Sequence, residues 1–196
     1  IKAITTTAKD YGMKVAAHAH GDEGMYRAVA SGVKTIEHGT LMSKRTMELM
    51  KEKQAYLVPT ITAGKQVVEK AKIPGYYPAI IVPKALKVGP KIQETFKKAY
   101  ELGVPIAFGT DAGVFPHGLN AKEFGYMVEV GMPASEALQS ATIVNAALLD
   151  NEDKLGQIKV GFYADIVASD ANALDAIATL ENISFVMKNG VVYKNK

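Results

Sequence analysis

The sequence predicts an α/β fold with parallel strands covered by helices, followed by a small antiparallel sheet. Between residues 14 and 149, short apolar strands alternate with amphipathic helices in four successive units, which is typical of parallel sheets. From Leu155 onward β-rich runs dominate, and Asn189-Gly190 between two of them predicts a type I′ hairpin. We therefore expect two domains, residues 1–152 and residues 153–196.

Apolar spacing and stop signals define the elements one by one. Ile1, Ile4 and Ala8 have helical spacing and predict a first helix, which Gly12 ends. Ser43 is a favourable N-cap for a helix that runs to Lys53. The predicted strands are Lys14–His20, Val33–His38, Ala55–Ile61 and Val104–Asp111. The remaining predicted helices are Asp22–Ser31, Thr62–Lys72, a long helix that ends at Leu102, Asn120–Val130 and Ser135–Leu149.

Composition excludes several classes of protein. The chain is 48% hydrophobic and 22% charged, which are ordinary values for a globular protein and exclude disorder. It has no cysteine, so disulfides, thiolate metal sites and cysteine nucleophiles are excluded together. The net charge of +3 comes from dispersed lysines, with only Arg27 and Arg45 as arginines, and we expect no nucleic-acid partner. No apolar run has the length of a bilayer span, and we expect no membrane partner.

Histidines and an aspartate stand at the carboxyl ends of the predicted strands. The first strand ends in His18-Ala19-His20, the second in Glu37-His38 and the fourth in Thr110-Asp111. The carboxyl ends of parallel strands meet at one edge of a sheet or barrel, where ligands bind. Imidazoles and a carboxylate are typical ligands of hydrolytic zinc. The alternative is that each is an ordinary core histidine or a turn-forming aspartate.

Four segments in this order are similar to one known family of enzymes. They are Val15–Gly21 (VAAHAHG), Thr35–Thr40 (TIEHGT), Ala107–Gly113 (AFGTDAG) and the run from Leu155-Gly156 to Ala164-Asp165-Ile166-Val167. Together they resemble the imidazolonepropionase-like and Xaa-Pro dipeptidase (prolidase-like) branch of the amidohydrolase superfamily. The resemblance implies strands five to eight, the C-terminal half, of a TIM-type (β/α)8 barrel, and the C-terminal part of a small β-sandwich.

The resemblance also implies roles for individual residues. His18 and His38 would be metal ligands, and Asp111 would be both a ligand and the general base and acid. Zinc, as one or two divalent ions, is the expected cofactor, with the remaining ligands expected upstream of Ile1. His20 would polarise the scissile carbonyl, and an open alternative makes His20 the ligand in place of His18.

Candidate substrate contacts follow from their places in the sequence. Arg27 and Lys65 are candidates for binding the carboxylate of a dipeptide, although the position of Arg27 on its helix favours a side chain that points to solvent. Tyr76 lies in a loop between two prolines, and His117 lies shortly after Asp111. Both are candidates for lining the substrate pocket, with ordinary surface packing as the alternative.

The expected reaction is metal-dependent hydrolysis of an unactivated amide or peptide bond, most specifically that of an Xaa-Pro dipeptide. Cyclic-amide hydrolysis and deamination within the same superfamily are alternatives, and Glu23, three residues after His20, leaves deamination open. An inactive structural fragment is the second alternative.

A half-barrel leaves open sheet edges, so we expect the isolated chain to be inactive. Its expected partners are the missing N-terminal half of the barrel, a small peptide or amide substrate and, as an alternative, a second copy of the chain. Periplasmic, secreted and cytoplasmic locations are equally open.

Overall fold

A computed structural model describes residues 1–196, which form two compact units, Ile1–Phe115 and Pro116–Lys196. The expected domains, residues 1–152 and residues 153–196, were defined by fold, as half of a barrel and an added sheet. Compactness does not test that division, which stays a prediction. No helix of the structure has the length and apolar character needed to cross a lipid bilayer.

The first unit is built on a sheet of three parallel strands, β1 (Ala16–Ala19), β2 (Thr35–His38) and β3 (Tyr56–Val58), in that order. Helix α1 (Lys2–Asp10) precedes the sheet, and α2 (Asp22–Ala30) and α3 (Lys44–Lys53) connect its strands. The Ser43 hydroxyl accepts a hydrogen bond from the Thr46 N–H and confirms the predicted cap of α3. The parallel register brings the carboxyl ends of the strands to one edge, and the predicted α/β class is confirmed.

The predicted strand Val104–Asp111 is wrong in extent, because only Ile106 forms a parallel bridge, to Leu57. The Leu57 N–H donates to the Pro105 carbonyl at 2.9 Å, and the Ala107 N–H donates to the Leu57 carbonyl at 3.0 Å. Pro105 has no N–H with which to extend the ladder. The segment nevertheless runs parallel to β3, as predicted, and carries Asp111 to the carboxyl edge.

Three helices follow β3 and pack on one another: α4 (Ile61–Ala71), α5 (Val82–Val88) and α6 (Lys91–Leu102). The predicted long helix ending at Leu102 is therefore two helices, separated at Gly89-Pro90. Proline lacks the N–H that would continue α5 and crowds the preceding turn. The two helices on either side of this break, α5 and α6, both pack on α4.

Gly89 permits the close packing of these helices. A Cβ at this position would lie 2.3 Å from Val68 Cγ2 and 3.1 Å from the Gly64 carbonyl oxygen. We expect Gly89→Ala to destabilise the protein by about 1–3 kcal/mol, since valine rotates little and backbone must move. Gly24 in α2 is the matched control, because its added Cβ meets no atom within 4 Å. Gly24→Ala should stabilise the protein by about 0.4–1 kcal/mol. Thermal unfolding measures both variants, and changes in Tm of the same sign for the two would contradict this packing.

The second unit contains α7 (Lys122–Glu129), α8 (Ala134–Ala141) and α9 (Ile143–Leu148). The predicted single helix Ser135–Leu149 is wrong, because Thr142 leaves the helical conformation with φ −117° and ψ −94°. The Thr142 hydroxyl donates to the Leu138 carbonyl at 2.8 Å. Gly156 packs on this break, since a Cβ there would lie 2.8 Å from the Thr142 carbonyl oxygen.

The second unit ends in an antiparallel sheet with the order β4 (Ile166–Ser169), β5 (Ile183–Lys188) and β6 (Val191–Asn195), as predicted. A 3₁₀ helix, Ile177–Glu181, connects β4 to β5. Asn189 and Gly190 have φ of 48° and 80° between the paired residues Lys188 and Val191. Two consecutive positive φ angles in a two-residue loop confirm the predicted type I′ turn.

The carboxylate of Asp165, the residue directly before β4, supports this turn. It accepts the Asn189 N–H at 2.7 Å and pairs with the Lys188 ammonium. These hydrogen bonds, the one from Lys188 first, lower the pKa of Asp165 below its ordinary value of 3.8.

We expect the stabilisation from Asp165 to be complete above pH 3.8 and to be lost as the pH falls through the lower folded-state pKa. Asp165→Asn should therefore unfold at a lower temperature at neutral pH and should lose less stability on acidification. Thermal unfolding of both proteins between about pH 2 and pH 7 measures this. A difference in Tm that stays constant over that range would contradict the assigned role.

Candidate metal centre and active site

Three imidazoles meet at the carboxyl edge of the parallel sheet. His18 lies on β1, His20 follows β1 with its side chain on the same face, and His38 ends β2. Their ligand nitrogens all lie within 4.8 Å of one another. The closest pair is His18 Nδ1 and His38 Nε2, which are 2.8 Å apart. The predicted convergence of strand-end histidines is therefore present in the structure.

His38 reaches its neighbours because its backbone leaves the extended conformation. Its φ is 72°, and the φ of Thr60 and Asp111 is 50° and 56°. Residues with side chains rarely adopt this left-handed region. Each of these three residues follows or ends a segment of the parallel sheet. Backbone conformations of this kind cost about 1–3 kcal/mol each and cluster at functional sites.

Two buried threonine hydroxyls hold the imidazoles in place. Thr60 Oγ1 lies 2.6 Å from His38 Nδ1, and Thr40 Oγ1 lies 2.7 Å from His20 Nδ1. The Thr95 hydroxyl donates to the Thr40 carbonyl at 2.7 Å and fixes the position of that residue. Because each Nδ1 is engaged by a hydroxyl, Nε2 of His38 faces His18, and Nε2 of His20 is the nitrogen left for another partner.

Neither threonine is predicted from the sequence as a site residue. Thr40 belongs to the TIEHGT segment, yet its partner His20 is twenty residues away in the chain. A threonine directly beyond a strand end was the only available signal, and it is too common to identify a histidine partner.

The surroundings of His38 and His20 favour the neutral forms of these two imidazoles. Burial lowers the pKa of His38 to about 4, with contributions from His18 and His20, while Asp111 acts in the opposite direction. Burial also lowers the pKa of His20, assisted by the charges of His18 and Lys84. Neutral imidazole is the form that binds a metal ion, so His38 and His20 are ready to act as ligands at neutral pH.

A cavity of about 570 Å³ opens beside the three imidazoles, and Asp111 lines the same cavity. Glu37 lies close by on β2, where burial raises its pKa and the charge of Asp111 raises it further. The Thr35 hydroxyl donates to Glu37 at 2.5 Å and partly offsets this effect. The structure therefore brings His18, His20, His38 and Asp111 to one cavity, as the sequence predicted.

The other candidate residues do not line this cavity. Arg27 is exposed on α2 and pairs with Glu23 at 2.8 Å. Lys65 lies on α4 away from the cavity wall, and Tyr76 stacks edge to face on Tyr77 in the loop before α5. His117 is an exposed residue of the second unit. The substrate-binding roles of these four residues stay predictions.

The deamination alternative rested on Glu23. Its carboxylate is engaged by Arg27 and lies 4.0 Å from Arg45, on the exposed side of α2. Glu23 is not among the residues that line the cavity, so the geometry gives this alternative no support.

The sequence model of the amidohydrolase family matches residues 1–194. The chain belongs to the amidohydrolase family.

Among solved structures, a Xaa-Pro dipeptidase with methionine bound in its active site is 56% identical, with a TM-score of 0.96 over 99% of this chain and 48% of that one. A prolidase complexed with N-methylphosphonate-L-proline is 32% identical, with a TM-score of 0.89 over 100% and 48%. Ochratoxinase of Aspergillus niger is 31% identical over 99% of this chain and 41% of its own length. The amidohydrolase chain thus spans about half the length of these relatives, and the predicted resemblance to prolidase-like proteins is confirmed.

Amidohydrolases generally depend on metal ions, and the donor set of this one fits a divalent ion. His18 Nδ1 and His38 Nε2 face each other across 2.8 Å, and the hydroxyl of Thr60 holds the His38 ring at its other nitrogen. This is the arrangement of a ligand supported by a second hydrogen bond. His18 and His38 are therefore the residues that would hold the ion, and His20 Nε2 is the next nitrogen available.

Proposed function

We propose that this amidohydrolase hydrolyses unactivated amide bonds, and that its substrates are Xaa-Pro dipeptides. The observation that carries the proposal is the pair His18 Nδ1 and His38 Nε2, which are 2.8 Å apart on a cavity that Asp111 also lines. A metal-ligand pair beside a carboxylate is the minimum machinery for hydrolysis by activated water.

Zinc is the proposed ion, as one or two ions, because imidazole and carboxylate are its usual ligands and the chain has no cysteine. Such an ion, when bound, acidifies a coordinated water and polarises a carbonyl. His18 and His38 would hold it, and the hydroxyl of Thr60 keeps His38 Nε2 turned toward it. His38 can do so at neutral pH because burial keeps its pKa low, at about 4.

Asp111 is the proposed general base and acid. Its carboxylate faces the cavity from the segment after the Ile106 bridge. It would accept a proton from the attacking water and deliver it to the amide nitrogen, which must be protonated before it can leave. The left-handed backbone of Asp111, with φ 56°, aims the side chain from the end of that segment.

His20 is proposed to donate a hydrogen bond to the carbonyl oxygen of the scissile bond. Its Nδ1 lies 2.7 Å from the Thr40 hydroxyl. When that hydroxyl donates to Nδ1, the proton of the neutral ring resides on Nε2, which can then donate to substrate. Negative charge that develops on the carbonyl oxygen during attack strengthens such a bond.

Two relatives support the Xaa-Pro part of the proposal. The solved Xaa-Pro dipeptidase is 56% identical to this chain over a match that covers 99% of this chain and 48% of the dipeptidase. The solved prolidase was complexed with an L-proline phosphonate. A third relative, ochratoxinase, is 31% identical and is named for a different substrate.

The test uses the full-length, metal-loaded protein with two dipeptides, Leu-Pro and Leu-Ala, and measures released amino acids and released ammonia. We expect release of proline with a kcat/KM about 10-fold or more above that for Leu-Ala, since side-chain pockets commonly discriminate by this factor. Release of ammonia alone would indicate deamination. No cleavage of either dipeptide by metal-replete protein would overturn the proposal.

A further inference from the structure

The cavity beside the imidazoles has a polar end and an aliphatic wall. The polar end consists of the three histidines, Thr40 and Asp111. The wall is formed by α4, α5 and α6, and its largest side chains are Val67, Ile81, Val88 and Ile92. A substrate held at the polar end must therefore lie along a surface that offers almost no hydrogen-bonding groups.

Lys84 interrupts this aliphatic wall. It lies on α5, three residues after Ile81 and four before Val88, so all three share one helix face. It is the one lysine or arginine among the residues that line the cavity.

Several lysines of the neighbouring helices pair with carboxylates, whereas Lys84, like Lys87 on the same helix, does not. Lys72 pairs with Glu69, Lys91 with Glu94 and Lys97 with Glu101. No acidic side chain pairs with Lys84, and no carboxylate of the cavity other than Asp111 is available to it. A cation on an apolar wall with no partner of its own is suited to an anionic ligand.

We propose that Lys84 binds the free α-carboxylate of the substrate, so that this enzyme prefers dipeptides or N-acyl amino acids that end in a carboxylate. The inference rests on the proposed amide hydrolysis. The carboxylate of a C-terminal residue lies about one residue span, roughly 3.3–3.6 Å, beyond the scissile amide. With the amide at the imidazoles, the carboxylate falls inside the same cavity, and Lys84 is the cation there that can neutralise it.

The experiment compares Leu-Pro with its C-terminal carboxamide, Leu-Pro-NH₂, in the full-length, metal-loaded protein. Lys84→Met keeps the aliphatic stem and removes the charge. We expect kcat/KM for Leu-Pro to fall about 10- to 100-fold, mainly through KM, because charge-assisted hydrogen bonds are of this strength. Cleavage of the carboxamide should change less than about 2-fold, since it presents no carboxylate.

Lys87→Met is the matched control, because Lys87 lies on the same helix, is exposed and does not line the cavity. It should leave both substrates unchanged. Equal losses for Leu-Pro and its carboxamide in Lys84→Met, or no loss for either, would overturn the proposal.

Calorimetric binding of N-acetyl-L-leucine separates failure of this inference from failure of the proposed function. If the unmodified enzyme cleaves neither substrate, amide hydrolysis of Xaa-Pro dipeptides is wrong, and the calorimetry still decides the carboxylate site. Weaker binding in Lys84→Met than in Lys87→Met supports the site, and equal binding in the two variants contradicts it.

Discussion

Replacement of Asp111 by asparagine should lower kcat by about 10²- to 10⁴-fold while metal content stays close to that of the unmodified protein. Asparagine preserves the shape of the side chain and one carbonyl oxygen that can still face the cavity. It cannot accept a proton from water or return one to the leaving nitrogen. Steady-state hydrolysis of Leu-Pro and elemental analysis of the same preparation measure the two quantities together.

Asp10→Asn is the control for this experiment, because Asp10 ends α1 and does not line the cavity. It should match the unmodified protein in both measurements. Turnover of Asp111→Asn within a few-fold of the unmodified enzyme would show that another group moves the proton. Loss of metal and turnover in parallel would show instead that Asp111 acts chiefly as a ligand.

Replacement of His38 by asparagine should remove most bound metal and, with it, hydrolytic activity. His38 Nε2 faces His18 Nδ1 at 2.8 Å, and asparagine is too short to present a nitrogen at that point. Deleting an imidazole ligand leaves an ion with fewer donors than a zinc site requires. Metal content after dialysis against a weak chelator is the direct measurement.

Thr60→Val is a milder change at the same site, with a smaller expected loss of metal affinity. It removes the hydroxyl 2.6 Å from His38 Nδ1 but leaves the ring, so metal affinity should fall about 10- to 100-fold rather than vanish. His117→Asn, in the second unit, should retain all of its metal. Full metal retention by His38→Asn would refute His38 as a ligand.

Alternation along a strand and strand-end position were sufficient to predict the histidines. His18 and His20 are two residues apart on a strand, so they share a face whatever the details of the fold. Asp111 was predicted because the carboxyl ends of parallel segments meet at one edge. Each of these inferences depends only on local periodicity and strand direction, which sequence patterns encode well.

The features that hold the site together were not predictable in this way. The left-handed backbone of His38 and Thr60 depends on tertiary contacts that override local preference. The pairing of Thr40 with His20 joins residues that follow two different strands, β2 and β1. Lys84 had no motif around it, and its place on the cavity wall follows from the packing of α5.

The predicted boundaries of helices and strands were wrong where the backbone cannot continue the element. Pro105 limits the last parallel segment to one bridge, and Gly89-Pro90 divides a predicted long helix. Thr142 divides another, where its hydroxyl bonds back to Leu138. In all three places the apolar periodicity continues through the interruption, so periodicity alone indicates a longer element than the backbone can form.

The most direct test is anomalous X-ray diffraction at the zinc absorption edge from crystals of the zinc-loaded, full-length protein. We expect an anomalous peak about 2.0–2.1 Å from both His18 Nδ1 and His38 Nε2, at the edge of the cavity that Asp111 lines. A peak bound elsewhere in the chain, with these two nitrogens still hydrogen-bonded to each other, would contradict the metal centre on which the proposed function depends.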